Sequence, residues 1–160
     1  MELEIQSIPE CNWGRSLANL LPTEVWDRLR RDVYADANWV CTKCFRTGLE
    51  LHCHEHWIYN DKKYIQILSE LWCICEDCHN LIHWGRTVAE ALKGSYSGSH
   101  MEQLRKHFCK VNKCTKTEFE GHKTEALMIS IKHNKHKWKI DWGIYNPVRI
   151  EKLYNTVGRK

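Results

Sequence analysis

Apolar residues recur every three or four positions along several stretches of the chain, which is the spacing of a helix with one buried face. The first such stretch follows Pro22 and carries Trp26, Leu29 and Val33, and Asn38 is the residue expected to end it. It predicts a helix in the first quarter of the chain. The preceding residues, 1–21, show no clear period and are expected to form a loosely packed lead-in.

Two further helices are predicted in the second half of the chain. Ser99 can cap the first of these, after a flexible break at 94–99. The buried face of that helix is expected to carry Met101, Leu104, Phe108 and Val111. The second helix spans about Glu118 to Lys132, with Phe119, Ala126, Leu127 and Ile131 as candidate core residues.

Alternation with a period of two predicts strands between these helices. It runs over 49–57 and 64–74, and the polar segment 59–63 between them reads as a loop, so the two strands are expected to pair as a hairpin. A short helix is predicted over 78–83, and Trp138, Ile140 and Trp142 alternate like a third strand.

The first predicted strand carries three histidines on one face. His52, His54 and His56 are two residues apart, so their side chains project to the same side, and Cys53 and Glu55 project to the other.

Composition indicates a folded chain with a basic end. Of the 160 residues 42% are hydrophobic, so a core can form, and the formal net charge is +4. Residues 122–160 hold nine Lys and Arg against three Asp and Glu. That surplus suits a phosphate backbone, because basic side chains gain by displacing condensed counterions. A solvated lysine-rich end is the alternative interpretation.

The chain has nine cysteines, an odd number that cannot pair fully within the molecule. The first residues lack the pattern of a signal peptide, and no apolar run approaches the roughly 20 residues that cross a bilayer. An intracellular, cytoplasmic protein without a membrane partner is therefore expected. Clustered cysteines in a reducing compartment point to metal ligands rather than to disulfides.

Two Cys-x-x-Cys pairs are the strongest signal. Cys41 and Cys44 form one pair, Cys75 and Cys78 form the other, and thirty residues separate the pairs. Two such pairs can complete a tetrahedral zinc site with four thiolates, which leaves no position for substrate and is therefore structural. Residues 75–79 also match the Cys-x-x-Cys-His pattern of haem attachment, but that interpretation ignores the first pair.

The other cysteines allow a weaker metal hypothesis. A second zinc site is conceivable among His107, Cys109, Cys114 and His122, whose spacing follows no firm rule. Ordinary buried or surface thiols are the alternative.

Histidines next to the second cysteine pair predict another cation site. His79 and His83 are four residues apart, so on a helix both imidazoles share one face. If the hairpin forms, His54 projects over that helix. The three side chains would then converge beside the cysteines.

The residues from Cys41 to His83, about a quarter of the chain, resemble the zinc-ribbon-bearing HNH (ββα-metal) endonuclease family. The matching motif runs Cys41-x-x-Cys44, Leu51-His52-Cys53-His54-Glu55-His56-Trp57, and Leu71-Trp72-Cys73-Ile74-Cys75-x-x-Cys78-His79-x-x-x-His83. The resemblance implies an α+β fold: a hairpin and helix gripping one divalent metal, stapled by the four-cysteine zinc site and surrounded by helices. It divides the chain into a lead-in with helix (1–37), the HNH-like core (38–93) and a helical, basic extension (94–160).

The resemblance also implies a function, namely metal-dependent hydrolysis of phosphodiester bonds in DNA that produces a nick. Phages and mobile elements use nucleases with this core. A catalytic Mg²⁺, Mn²⁺ or Ni²⁺ on His54, His79 and His83 would contact the phosphate, and DNA would bind mainly through its backbone. A catalytically inactive relative that binds nucleic acid or a protein is the alternative function. An unrelated zinc-binding adaptor is a third.

Two positions depart from the family pattern. The family places a base histidine directly after the strand's metal ligand, where this chain has Glu55, so Glu55 becomes the candidate base, with His52 or His56 as substitutes. The asparagine that braces the hairpin loop in the family is replaced by Glu70, and Asn60 is the nearby asparagine. Trp138 and Trp142, among lysines, are candidate DNA contacts.

Overall fold

The computed structural model describes residues 2–157 of the chain, which form an α+β fold around a three-stranded sheet. Strands β1 (Leu51–Asn60) and β2 (Ile65–Cys75) pair antiparallel, from Leu51 opposite Cys75 to Asn60 opposite Ile65. Strand β3 (Lys139–Asp141) runs parallel to β2 along its other edge. The predicted hairpin and third strand are confirmed, with β1 extending to Asn60.

The turn between β1 and β2 is short and internally braced. It spans 61–64, and the Asn60 side-chain oxygen accepts a hydrogen bond of 3.1 Å from the Lys63 amide. A β-bulge shifts the register next to Trp57, because His56 lies opposite Glu70 whereas Trp57 lies opposite Leu68. An extra residue of this kind increases the local twist of the hairpin.

Seven α-helices surround the sheet in the part of the chain that the structure describes, together with two short 3-10 helices, Glu10–Asn12 and Gly143–Tyr145. The α-helices are α1 (Leu17–Leu20), α2 (Thr23–Asp36), α3 (Glu76–Ile82), α4 (Trp84–Leu92), α5 (Gly98–Asn112), α6 (Lys116–His133) and α7 (Pro147–Val157). Helix α3 follows β2 without a linker. The predicted helices correspond to α2, α3, α5 and α6, and α1, α4 and α7 were not predicted. Within residues 2–157, none of the helices combines the length and apolarity needed to traverse a bilayer.

Two apolar cores lie on the two faces of the hairpin. The first joins β2 and α3 to α5 and α6 and includes Leu3, Trp72, Ile74, Leu81, Ile82, Leu104, Phe108 and Phe119. The second joins the hairpin to α1, α2 and α7 and includes Leu17, Leu21, Val25, Leu29, Trp57, Leu68 and Ile150. The hairpin therefore forms a partition between two packed layers.

The structure corrects three expectations about packing. The part of the predicted lead-in that the structure describes, residues 2–21, is not loosely packed, because Leu3 and Leu17 are fully buried. Ser97 rather than Ser99 caps α5, since the Ser97 hydroxyl accepts a hydrogen bond from the His100 amide. On α6, Leu127 and Ile131 are exposed, and the buried positions are instead Phe119, Ala126 and His133.

Candidate metal centres

Four cysteines come together at the junction of β2 and α3. Cys41 and Cys44 lie in the turn that precedes β1, Cys75 ends β2, and Cys78 lies in α3. Their sulfur atoms all lie within 4.8 Å of one another, and those of Cys44 and Cys75 are 3.6 Å apart. Thiolates on a tetrahedral zinc ion with bonds of about 2.3 Å stand roughly 3.8 Å apart. The cluster therefore fits one metal ion.

The first cysteine pair is fastened to the sheet by backbone hydrogen bonds. The Cys41 amide donates to the Arg46 carbonyl at 3.1 Å, and the Thr42 amide donates to the Cys73 carbonyl at 2.8 Å. Phe45 adopts a left-handed backbone conformation at φ 60°, which closes the turn. The turn that carries the thiols of residues 41 and 44 is therefore held by backbone hydrogen bonds, one of which joins it to β2.

Arg46 adds positive charge beside the sulfurs. Its guanidinium nitrogens lie 3.4 Å from Cys44 Sγ and 3.3 Å from Cys75 Sγ, and one also donates to Asp77 at 2.6 Å. A cation that donates hydrogen bonds to sulfur favours the thiolate form, which is the form that binds metal. The Cys-x-x-Cys spacing did not predict that Arg46 would lie beside the sulfurs.

The thiols differ in acidity because they share hydrogen bonds. Hydrogen bonds from Cys75 and Cys78 lower the pKa of Cys41 far below its usual value. The same contact with Cys41 raises the pKa of Cys75 to about 11, and contacts with Cys41 and Cys75 raise the pKa of Cys78 as well. The cluster accepts one negative charge readily and resists further ones. A divalent cation would offset that repulsion, so the donor set suits zinc.

Three histidines form a second group beside the cysteines. His54 projects from β1, His79 lies in α3, and His83 follows the last turn of that helix. One ring nitrogen of each lies within 4.8 Å of the others. The His83 ring centroid is 4.8 Å from those of both His54 and His79. The hairpin and the i, i+4 spacing thus bring together the imidazoles that the sequence singled out.

Burial keeps these imidazoles neutral. It lowers the pKa of His79 to about 3 and that of His83 to about 4, and it lowers the pKa of His54 well below the ordinary value, with the neighbouring histidines adding to the effect. Neutral imidazole has a free lone pair on one nitrogen, which is the form that binds metal. His54 is nearly completely buried, and His79 and His83 are half-buried.

The two groups share one hairpin-and-helix unit, with His79 next to Cys78 in sequence. No protein-family model, curated protein or solved structure matches this chain. The chemistry of the unit is therefore argued from its own donor atoms, namely four sulfurs at one end of α3 and three imidazole nitrogens along its side.

Further polar groups near the histidines come from the N-terminal segment, and no spacing rule points to them. His56 contacts Ser69 Oγ through Nδ1 at 2.8 Å and Glu4 through Nε2 at 3.0 Å, so both of its nitrogens are engaged. Gln6 Oε1 lies 3.4 Å from His54 Nε2. Trp72 stacks on the His56 ring, with 3.8 Å between the ring centroids.

Glu55 lies on the other side of the sheet, so the structure corrects its assignment as general base. Its carboxylate accepts a hydrogen bond of 2.5 Å from the Leu17 amide at the start of α1. His54, the next residue, faces His79 and His83. The hairpin therefore separates the carboxylate from the histidine group, and Glu55 serves to cap a helix.

This position makes Glu55 a source of pH-dependent stability. Burial raises the pKa of the Glu55 carboxyl from 4.5 to about 7. Because the folded state holds this proton more tightly, the contribution of the group is complete below pH 4.5 and is lost as the pH rises to about 7. Glu55→Gln is expected to raise the free energy of unfolding by roughly 2–3 kcal/mol at about pH 8 and much less at about pH 4.5.

Urea unfolding of both proteins at these two pH values, with equal zinc, measures the difference directly. Glutamine keeps the oxygen that accepts from Leu17, so helix capping is retained in the variant. All other titrating groups are common to the two proteins. An equal difference at both pH values would contradict the assignment.

The other candidate residues are placed differently from expectation. His107 points to Cys78, with Nε2 3.3 Å from the sulfur, and among residues 2–157 no metal-binding group unites it with Cys109, Cys114 and His122. Trp138 is 5% exposed and packs on Tyr59 and His133, so it belongs to the interior rather than to a DNA contact.

Proposed function

We propose that this protein is a metal-dependent DNA endonuclease of the HNH type, which hydrolyses phosphodiester bonds and nicks its substrate. Zinc on Cys41, Cys44, Cys75 and Cys78 staples the hairpin to α3, and Mg²⁺, Mn²⁺ or Ni²⁺ binds between His54, His79 and His83. One observation carries the proposal: three neutral imidazoles from a β-hairpin and the following helix converge beside four clustered thiols.

The residues around the histidines have separable tasks. His54, His79 and His83 hold the ion, which supplies a Lewis acid for charge that builds on the phosphate oxygens. Asn60 braces the hairpin turn through the Lys63 amide, the task that the family gives to its central asparagine. Each of these side chains is fixed by an element of regular structure or by a tight turn.

His52 is the base candidate that the geometry supports. It lies on the same face as His54, and its ring stacks on His79 at a centroid distance of 4.8 Å. Its Nε2 is buried with no hydrogen-bond partner among the described residues. The alternative, His56, has both nitrogens engaged by Ser69 and Glu4. A ring nitrogen that no protein group engages can act as a proton acceptor.

A basic surface at the far end of the hairpin supports DNA as the partner. Lys62 and Lys63 are exposed in the β1–β2 turn, and β3 brings the segment 132–139 alongside, through the hydrogen bond from the Lys139 amide to the Tyr64 carbonyl. The exposed lysines of that segment are Lys132, Lys135, Lys137 and Lys139. Asp61 is already paired with Lys132 and His133. Excess positive charge at one edge suits a phosphate backbone.

Reversing two of these charges tests the surface. The double substitution Lys135→Glu with Lys137→Glu is expected to weaken binding to duplex DNA roughly tenfold or more and to reduce the slope of log affinity against log salt by about 2. Fluorescence anisotropy over a salt series measures both quantities. The matched control is Lys106→Glu with Lys110→Glu, two exposed lysines of α5. Equal losses in both double variants would contradict a localised surface.

Metal analysis combined with plasmid nicking tests the function. Purified protein is expected to hold one zinc ion tightly and a second, exchangeable metal ion, and to convert supercoiled plasmid to the open-circular form when Mg²⁺, Mn²⁺ or Ni²⁺ is added. Binding of DNA without any cleavage under these metals would overturn the enzyme proposal. Absence of DNA affinity at low salt would overturn the nucleic-acid partner as well.

Two observations favour a second candidate function, a zinc protein of the same fold that binds nucleic acid or a protein without hydrolysis. Glu55, which occupies the position of the family's base, is half-buried on the opposite face of the sheet. The side chain of Gln6 covers His54. The plasmid assay separates the two candidates, because only the first predicts a metal-dependent open-circular product.

A further inference from the structure

The N-terminal segment forms a strap across the histidine group, fixed at several points. The Asn112 side chain makes two hydrogen bonds to the Leu3 backbone. Its oxygen accepts from the Leu3 amide at 3.0 Å, and its nitrogen donates to the Leu3 carbonyl at 2.7 Å. The Gln6 amide donates to the carbonyl of Ile82, the last residue of α3, at 2.8 Å. Tyr59 donates to the Ser7 carbonyl at 3.0 Å. The backbone of Gln6 is therefore held beside the hairpin and helix.

The orientation of the Gln6 side-chain amide follows from its neighbour Glu4. The Gln6 side-chain nitrogen donates to the Glu4 carboxylate at 2.8 Å. A carboxylate oxygen accepts hydrogen bonds, so the amide nitrogen faces Glu4 and the amide oxygen faces His54. Glu4 thereby directs the Gln6 oxygen towards His54.

The separation between that oxygen and His54 matches two donors on one ion. Gln6 Oε1 and His54 Nε2 are 3.4 Å apart, which is long for a hydrogen bond. Two ligands on a tetrahedral zinc-sized ion, with bonds of about 2.0–2.1 Å, stand roughly 3.4 Å apart. Amide oxygen is an accepted ligand of divalent cations.

We propose that the Gln6 side-chain oxygen is the fourth protein donor to the ion bound by His54, His79 and His83, a role that rests on the proposed function for the existence of that ion. In this state the strap closes the centre with three nitrogens and one oxygen. On a four-coordinate ion, a phosphate oxygen of the substrate would have to displace Gln6. Gln6 therefore governs both the affinity for metal and the access of substrate.

Cobalt(II) is a suitable probe, because four-coordinate cobalt absorbs visible light far more strongly than five- or six-coordinate cobalt. Full-length protein with zinc already in the cysteine centre is titrated with Co²⁺. Wild type is expected to give an intense visible band. Gln6→Ala is expected to bind Co²⁺ roughly ten- to a hundredfold more weakly and with a weaker band, because water replaces the fixed oxygen.

Two variants separate ligation from a loss of folding. Gln6→Glu keeps an oxygen donor and is expected to restore the intense band. Gln103→Ala, an exposed glutamine of α5, is expected to match wild type. In the nicking assay, Gln6→Ala is expected to need roughly ten- to a hundredfold more metal than wild type to reach half of its maximal rate, because it binds the ion more weakly.

The outcomes distinguish this proposal from the one on which it rests. A wild type that takes up no Co²⁺ beyond the zinc centre overturns both. If wild type binds Co²⁺ but Gln6→Ala and Gln103→Ala have the same affinity and spectrum, the role of Gln6 is overturned. The proposed metal site on the three histidines is then still supported.

Discussion

Replacing Cys75 by serine is expected to cost the protein its zinc and most of its stability. Cys75 is the last residue of β2 and contributes one of four sulfurs to the cluster, so it joins the hairpin to α3. A structural zinc site is assembled only on folding, and its binding free energy is therefore part of the folding free energy. Loss of a metal site belongs to the few changes that exceed about 4 kcal/mol, a large fraction of the roughly 5–15 kcal/mol that stabilises a typical domain.

Urea unfolding and metal analysis by mass spectrometry measure this effect together. Cys114→Ser is the matched control, since Cys114 is half-buried and lies outside both metal-binding groups. It is expected to keep its zinc and to unfold at nearly the same urea concentration as wild type. A chelator should destabilise wild type and the control but add little to the effect of Cys75→Ser. If both variants had equal zinc content and equal stability, the proposal that zinc in the cysteine cluster stabilises the fold would be contradicted.

The features that the sequence predicted are those that depend on short spacing. Cys41 and Cys44 must lie close together because two residues separate them, and His79 and His83 share a helix face because four positions make about one turn. The hairpin adds one long-range element, and its register is set by alternation together with a short turn. These local rules are sufficient to assemble both groups of donors.

Contacts between distant segments could not be predicted in this way. Glu4 and Gln6 reach the histidines from about fifty positions away along the chain, and Asn112 holds their strap from more than a hundred. No periodicity relates such residues, because their meeting depends on how complete helices pack. Helix α7 was not predicted for the same reason. Its Ile150 joins the second core through contacts with segments that are distant in the sequence.

Glu55 shows where a resemblance and a local rule disagree. The family pattern assigns the base to this position, whereas alternation along β1 directs its side chain away from His54. The structure follows alternation, and the half-buried Glu55 carboxylate accepts a hydrogen bond from the Leu17 amide. On α6 the local rule itself is ambiguous, because the run from Ala126 to Ile131 is apolar on several faces and Leu127 lies outside the core.

The two donor groups differ in what each allows. Four sulfurs can satisfy a tetrahedral ion completely, so a zinc ion in the cysteine group would stabilise the fold and would have no position left for substrate. The histidine group provides three protein nitrogens, which leaves coordination positions for Gln6, water or a phosphate oxygen. Because His79 follows Cys78 directly, the staple also fixes the helix that presents two of these nitrogens. Loss of zinc should therefore abolish nicking indirectly.

His83→Ala is expected to abolish nicking while the fold and the zinc centre remain. The change removes one of three ligands from the histidine group and leaves all four sulfurs in place. The ion is expected to contribute several kcal/mol of transition-state stabilisation, and at about 1.4 kcal/mol for each factor of ten its loss lowers the rate roughly a hundredfold or more. Initial rates of open-circle formation, with Mn²⁺ varied, provide the measurement.

Two companion variants make the result specific. His122→Ala removes a half-buried histidine outside the group and should nick as wild type does. His52→Ala should retain the exchangeable metal yet lose rate, because it removes the proposed base and none of the three ligands. Metal dependence divides the cases further: excess Mn²⁺ can partly restore a protein that binds its ion weakly, but not one that lacks a base. If His83→Ala nicks at the wild-type rate and with the same dependence on Mn²⁺, the histidine group is not the catalytic centre, and any cleavage arises elsewhere on the protein.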